Sequence, residues 1–71
     1  MTTTAFPVTG MTCAHCVRSV TEEVGELPGV SSVAVDLVAG GASTVTVESD
    51  RPLDPVAVRA AVDEAGYVAE V

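Results

Sequence analysis

The sequence predicts an α+β fold, with two helices packed on one face of a four-stranded antiparallel sheet. Three observations lead there. Apolar residues alternate at a period of two around Phe6 and Val8, from Val33 to Leu37 and at Val45 and Val47, as half-buried strands do. They recur at spacings of 3, 4 and 3 in Val17, Val20, Val24 and Leu27, which makes one apolar helical stripe. Turn signals at Pro28-Gly29, Gly40-Gly41 and Gly66 then cut the chain into strand, helix, strand, strand, helix, strand.

Taken in order, Thr2 to Thr4 reads as a frayed polar start, and Ala5 to Thr9 as the first strand. Pro7 has no amide to give a sheet ladder, so in a central strand it must sit at the start or beside a short neighbour. Gly10 turns the chain into a loop that carries both cysteines. A helix follows from about Ala14 to Glu26, with Thr12 as its N-cap and Pro28-Gly29 as its stop. The run Val33 to Val38 and the run Thr44 to Glu48 form a β-hairpin around Gly40-Gly41. Asp54 caps a second helix, Pro55 takes its first position, and Val58, Ala61, Val62 and Ala65 form its stripe. Gly66 ends that helix in the left-handed conformation, and Tyr67 to Val71 is a short last strand. Right-handed crossovers in both halves place the first and third strands side by side in the middle. That is the ferredoxin-like βαββαβ open sandwich.

At 71 residues the chain makes one small domain, residues 1–71. Hydrophobic residues are 48% of it, but with one Phe, one Tyr and no Trp the core must be mainly Val, Leu and Ala. No run approaches the ~20 apolar residues of a membrane span, and Met1 to Pro7 lacks the basic start and apolar stretch of a signal peptide. A cytosolic, reducing location is expected, which keeps Cys13 and Cys16 as free thiols. The net charge of −7 argues against nucleic acid, whose phosphates call for Lys and Arg, and against an anionic membrane surface.

The chemistry concentrates in Gly10-Met11-Thr12-Cys13-Ala14-His15-Cys16, which holds both cysteines and the only histidine. Two thiols three positions apart converge when the first lies on a loop and the second in the first helical turn. Unpaired amides and the positive end of the helix dipole favour thiolate there, so a Cys-X-X-Cys pair drops from about 8.5 to roughly 3.5–7.5. Four readings compete. A closed zinc site needs about four ligands, and only His15 remains after the two thiols. A thioredoxin-type redox pair belongs to a larger fold and normally has a Trp beside it. Inert buried cysteines fit poorly with the flanking Gly10, Thr12 and His15, which suit a solvent-facing loop. The remaining reading is an open two-thiolate site for a soft, low-coordinate cation, and thiolates select Cu(I).

That stretch resembles the Gly-Met-Thr-Cys-X-X-Cys signature of the heavy-metal-associated domain family. The family includes small copper chaperones and the metal-binding domains of copper-transporting P-type ATPases. Leu27-Pro28-Gly29-Val30 and Ala65-Gly66-Tyr67 are also similar to family segments, so the resemblance runs over nearly the whole chain. It implies the same ferredoxin-like fold and, because a single domain fills Met1 to Val71, a free-standing cytoplasmic Cu(I) chaperone of bacterial type that is not an enzyme. A regulatory metal-binding domain of a P-type ATPase, or a mercury- or zinc-handling relative, is the alternative.

By the same resemblance Cys13 and Cys16 are the two Cu(I) ligands, and Met11 is a core residue that anchors the loop from beneath. Tyr67 matches an aromatic residue beside the metal loop, and Thr12 stands where zinc-handling relatives often carry an acidic residue. His15 falls at a variable position and should project outward, where an imidazole tunes thiol acidity, serves as a third ligand in a dimer, or does neither. The implied partners are the metal-binding domains of a copper-exporting ATPase, with a copper-sensing repressor as a further one. The expected assembly is an apo monomer that a bridging Cu(I) can pair.

Overall fold

The computed structural model describes residues 1–71. Its elements run β1 (Thr2–Thr9), α1 (Ala14–Gly25), β2 (Val30–Asp36), β3 (Ala42–Ser49), α2 (Pro55–Glu64) and β4 (Val68–Ala69). The strands form one antiparallel sheet in the order β2-β3-β1-β4. The first and third strands are central, and the ferredoxin-like βαββαβ sandwich expected from the element order is the fold observed.

Alternation decides which face is covered. Phe6 and Val8 of β1 and Val45 and Val47 of β3 point to one side and are buried, whereas Ala5, Pro7 and Thr44 point to the other and are exposed. Val20 and Val24 of α1 and Val58, Ala61 and Val62 of α2 close the covered side, so a core of small aliphatic side chains lies between helices and sheet. No helix is long and apolar enough to cross a membrane.

β1 begins at Thr2, so Thr2 to Thr4 are paired and not frayed. Their partners are Ser49, Glu48 and Val47 of β3, and β-branched threonine suits a half-covered strand. Pro7 is accommodated by the shortness of β4. The Glu70 amide donates to the Pro7 carbonyl at 2.9 Å, so Pro7 turns its missing donor toward the end of a two-residue strand.

β2 starts at Val30, three residues before the alternating run, and stops before Leu37. The last strand shrinks from Tyr67–Val71 to Val68–Ala69. In α1 the N-cap is Cys13, at φ −156° and ψ 174°, and not Thr12. Cys16 enters the buried face of α1 while Val17 is only half-buried, so the stripe is rotated from the one the valines alone define.

The start of α2 follows the sequence closely. The Asp54 side chain accepts from the Val56 amide at 3.0 Å, and Pro55 opens the helix. Gly66 ends it at φ +94°, a region that residues with a Cβ avoid. The Tyr67 amide then returns to the Val62 carbonyl at 3.1 Å, which fixes Tyr67 at the same end of the molecule as the cysteine loop.

Candidate metal centre

Three segments meet at that end. β1 delivers Gly10 and the cysteine loop beside Ala42 of β3 and Val68 of β4, through the pairs Thr9–Ala42 and Thr9–Val68. Gly10 takes φ +93°, and a Cβ there would sit 3.5 Å from the Tyr67 ring. The turn therefore brings the loop and the aromatic residue into close approach.

Met11 follows with its side chain fully buried in the core cluster. The loop is thereby tied down at its second residue, and the next two side chains face outward. Cys13 is exposed, whereas Cys16, one turn into α1, is 8% exposed. Their sulfurs lie 3.7 Å apart. Both are free thiols at that separation. The Cys13 carbonyl accepts from the amides of Cys16 at 3.1 Å and Val17 at 3.3 Å, so the loop and the first turn share one hydrogen-bonded frame.

Thr12 lies one residue before the cap, because α1 begins at Ala14, and its hydroxyl is turned to the sulfur site. It lies 3.8 Å from Cys16 Sγ and donates to that sulfur when it is ionised. No side chain caps α1, so the first amides of the helix stay uncovered beside the two sulfurs.

Cys16 has its pKa lowered to about 6. The main cause is the Thr12 backbone amide, followed by the Tyr67 hydroxyl and the Cys13 amide; burial opposes them, and the Thr12 hydroxyl adds the smallest lowering effect. Hydrogen bonds to the charged form favour it. The Tyr67 hydroxyl ranks second among these causes. It is near enough to favour the thiolate and to have its own pKa pushed up by Cys16 first, then by burial and the charge of Cys13. The expected acidification is thus realised at Cys16, and its causes are backbone amides, a phenol and a hydroxyl.

His15 is exposed, its side chain bonds neither sulfur, and its carbonyl accepts from Ser19 Oγ at 3.3 Å. No group of three or more His, Cys, Asp or Glu side chains converges anywhere in the chain. The site is therefore a pair of sulfurs, Cys13 exposed and Cys16 buried with its thiol made more acidic, with its outer side open. A metal–sulfur bond of about 2.3 Å, the value for zinc thiolates, lets one ion touch both atoms across 3.7 Å. Sequence reasoning singled out every residue of this cluster. It did not assign the Thr12 hydroxyl to sulfur, although a threonine four positions before a helical cysteine is the signal for it.

The chain is similar to known proteins over most of its length. The COP-associated protein of Helicobacter felis is 46% identical over 62 residues, which is 87% of this chain and 89% of that one. Copper-transporting ATPase 2 of Rhizobium meliloti is 41% identical over 68 residues, 96% of this chain, which spans only 8% of that ATPase. Among solved structures, a CopZ metallochaperone superposes with a TM-score of 0.82 at 27% identity, covering 97% of this chain and 100% of that one. The profile of the heavy-metal-associated domain matches residues 5–68, and the chain belongs to that family.

Proposed function

We propose that this protein carries Cu(I) between the thiolates of Cys13 and Cys16 and hands it on by ligand exchange. The observation that carries this reading is the asymmetric sulfur pair, 3.7 Å apart with one member exposed and no third ligand nearby. Two soft sulfurs suit Cu(I), and an open side admits an incoming ligand. A partner thiolate adds to the ion first, giving a three-coordinate intermediate. One of the chain's own sulfurs then leaves, with the exposed Cys13 better placed to go first, and the ion passes without being free. No covalent bond of a substrate is changed, so the role is carriage and not catalysis.

The similarity to a copper-transporting ATPase of Rhizobium meliloti supports copper as cargo and such an ATPase as receiver. The Gly-Met-Thr-Cys-X-X-Cys loop supplies the means, and a cytoplasmic setting would keep its thiols reduced. A second reading, a regulatory domain within such an ATPase, is favoured by the 41% identity to one segment of a much longer protein.

The test is a competition titration of reduced protein with Cu(I), Zn(II) and Hg(II) against chelators of known affinity, followed by mixing of the Cu(I)-loaded chain with a soluble apo domain of a copper-transporting ATPase. Carriage expects one Cu(I) per chain, bound more tightly than Zn(II), and recovery of copper on the ATPase domain. Tighter Zn(II) binding, or copper that stays on the chain, contradicts it. Hg(II) binding that outcompetes Cu(I) is expected from sulfur softness alone and decides nothing about cargo.

A further inference from the structure

Three connections gather at the metal end: the loop of residues 10–13, the β2–β3 hairpin tip of residues 37–41 and the α2–β4 turn of residues 65–67. Thr9 stands opposite both Ala42 and Val68, which brings them together. None of the ten acidic and three basic residues of the chain falls within them. Asp36 borders the hairpin tip, but it pairs with the exposed Thr44 and so lies on the uncovered face of the sheet.

The tip itself leans toward the helices. Ser43 is fully buried on the covered face, opposite Val8. Its Oγ accepts from the Val38 amide at 2.9 Å and lies 3.4 Å from the Val38 carbonyl, to which it donates. The Gly41 amide closes the turn on the same carbonyl at 3.1 Å. The tip is thereby fixed over the end of the core, on the side where α1 packs against β2 and where its first turn holds Cys16. Val38 remains 47% exposed, with Ala39 and Gly40 exposed beside it. A valine held open on a fixed turn has little freedom left to lose when a partner covers it.

Ligand exchange decides what comes to this end. The three-coordinate intermediate has sulfurs of both proteins on one ion, so two bonds of about 2.3 Å, the zinc–thiolate value, keep the acceptor's sulfur within about 4.6 Å of the chain's own. At that range the acceptor covers the surface around Cys13. Charged groups there would lose their water without gaining partners, whereas Val38, Ala39 and Gly40 are covered without that cost. We propose, on the basis that Cys13 and Cys16 carry Cu(I), that the β2–β3 hairpin tip is a docking arm for the copper-receiving domain, whose surface facing Val38 is apolar and uncharged.

The test loads the full chain with one Cu(I) and offers it two acceptors. One is a soluble apo domain of a copper-transporting ATPase, and the other is dithiothreitol, a small thiol that needs no docking surface. Val38→Asp and Val38→Lys are each expected to keep the far-ultraviolet spectrum and the Cu(I) affinity of wild type. Both should slow transfer to the domain by about tenfold, the effect of losing one well-covered contact residue, and leave transfer to dithiothreitol unchanged. Opposite charges with the same effect separate the loss of an apolar contact from a change in net charge. Should either variant not fold, Ala39→Asp and Ala39→Lys take their place. A wild-type or faster rate to the domain for either variant, or equal slowing toward dithiothreitol, would overturn the docking arm and leave carriage standing. Wild type that delivers copper to dithiothreitol but not to the domain would overturn the carrier reading and the docking arm with it. A metal-free dimer of wild type that Val38→Asp dissolves would give the tip to a second copy, and would overturn the docking arm too.

Discussion

Cys16 and Tyr67 hold each other's protons in opposite directions: the phenol favours the Cys16 thiolate, and the thiolate raises the phenol's pKa. The two residues are 51 positions apart and meet only because Gly10 and Gly66 turn their segments to the same end of the sheet.

Removal of that hydroxyl is therefore expected to move one thiol. Tyr67→Phe should raise the Cys16 pKa from about 6 toward the ordinary thiol range, read as thiolate absorbance in the ultraviolet. His15→Ala should leave that titration in place, because the groups acting on Cys16 are the Thr12 and Cys13 amides, the Tyr67 hydroxyl and the Thr12 hydroxyl. An unchanged Tyr67→Phe curve, or a shifted His15→Ala curve, would reassign the source of the acidity.

The same shift sets a pH dependence of stability. The folded-state pKa of Cys16 lies near 6, below the value of about 8.5 for a free thiol. The folded state thus releases its proton first, and the gain is complete above the free-thiol value and lost as pH falls through about 6. Wild type is expected to gain thermal stability relative to Cys16→Ser between those limits. Parallel melting curves from pH 6 to 9 would contradict it.

Met11 tests whether sulfur matters at that position. Its side chain is wholly buried in the core, so Met11→Leu, which nearly conserves volume, should cost less than about 1.5 kcal/mol. Met11→Ala should cost about 2–5 kcal/mol by leaving a cavity. Denaturant melts give both numbers. A core role requires Met11→Leu to keep its Cu(I) affinity, and loss of affinity without loss of stability would make the thioether a ligand.

How far these features were legible depended on how local they were. The α2 boundaries were written in Asp54, Pro55 and Gly66, each of which acts on its own neighbours. The cysteine loop was legible because both thiols and the histidine lie within four residues. Thr2 to Thr4 have no apolar alternation to mark a strand, only β-branched propensity; their order comes from Val47, Glu48 and Ser49, far along the chain. The burial of Cys16 in place of Val17 was equally hidden. It depends on how α1 is rotated against the sheet, and valine spacing permits either face. The length of β4 depends on the partner strand, where Pro7 offers no amide beyond the second pair.

Assembly follows from the open side of the site. A two-sulfur Cu(I) gains a third ligand when two loops meet, but each protomer brings a charge of −7. That repulsion is screened over about 8 Å at physiological ionic strength. Sedimentation velocity should find an apo monomer that dimerises only on Cu(I) loading, and more readily at high salt. A stable apo dimer, or a loaded dimer favoured by low salt, would contradict the charge balance.

The claim on which the rest depends is that the pair Cys13 and Cys16 is the whole of the metal site. Its most direct test is a Cu(I) competition titration of wild type, Cys13→Ser and Cys16→Ser, each checked for an unchanged fold by circular dichroism. Wild type is expected to take up one Cu(I) per chain, and each single variant to lose stable one-to-one binding. A folded single-serine variant that still binds one Cu(I) with the wild-type affinity would contradict the two-thiolate site.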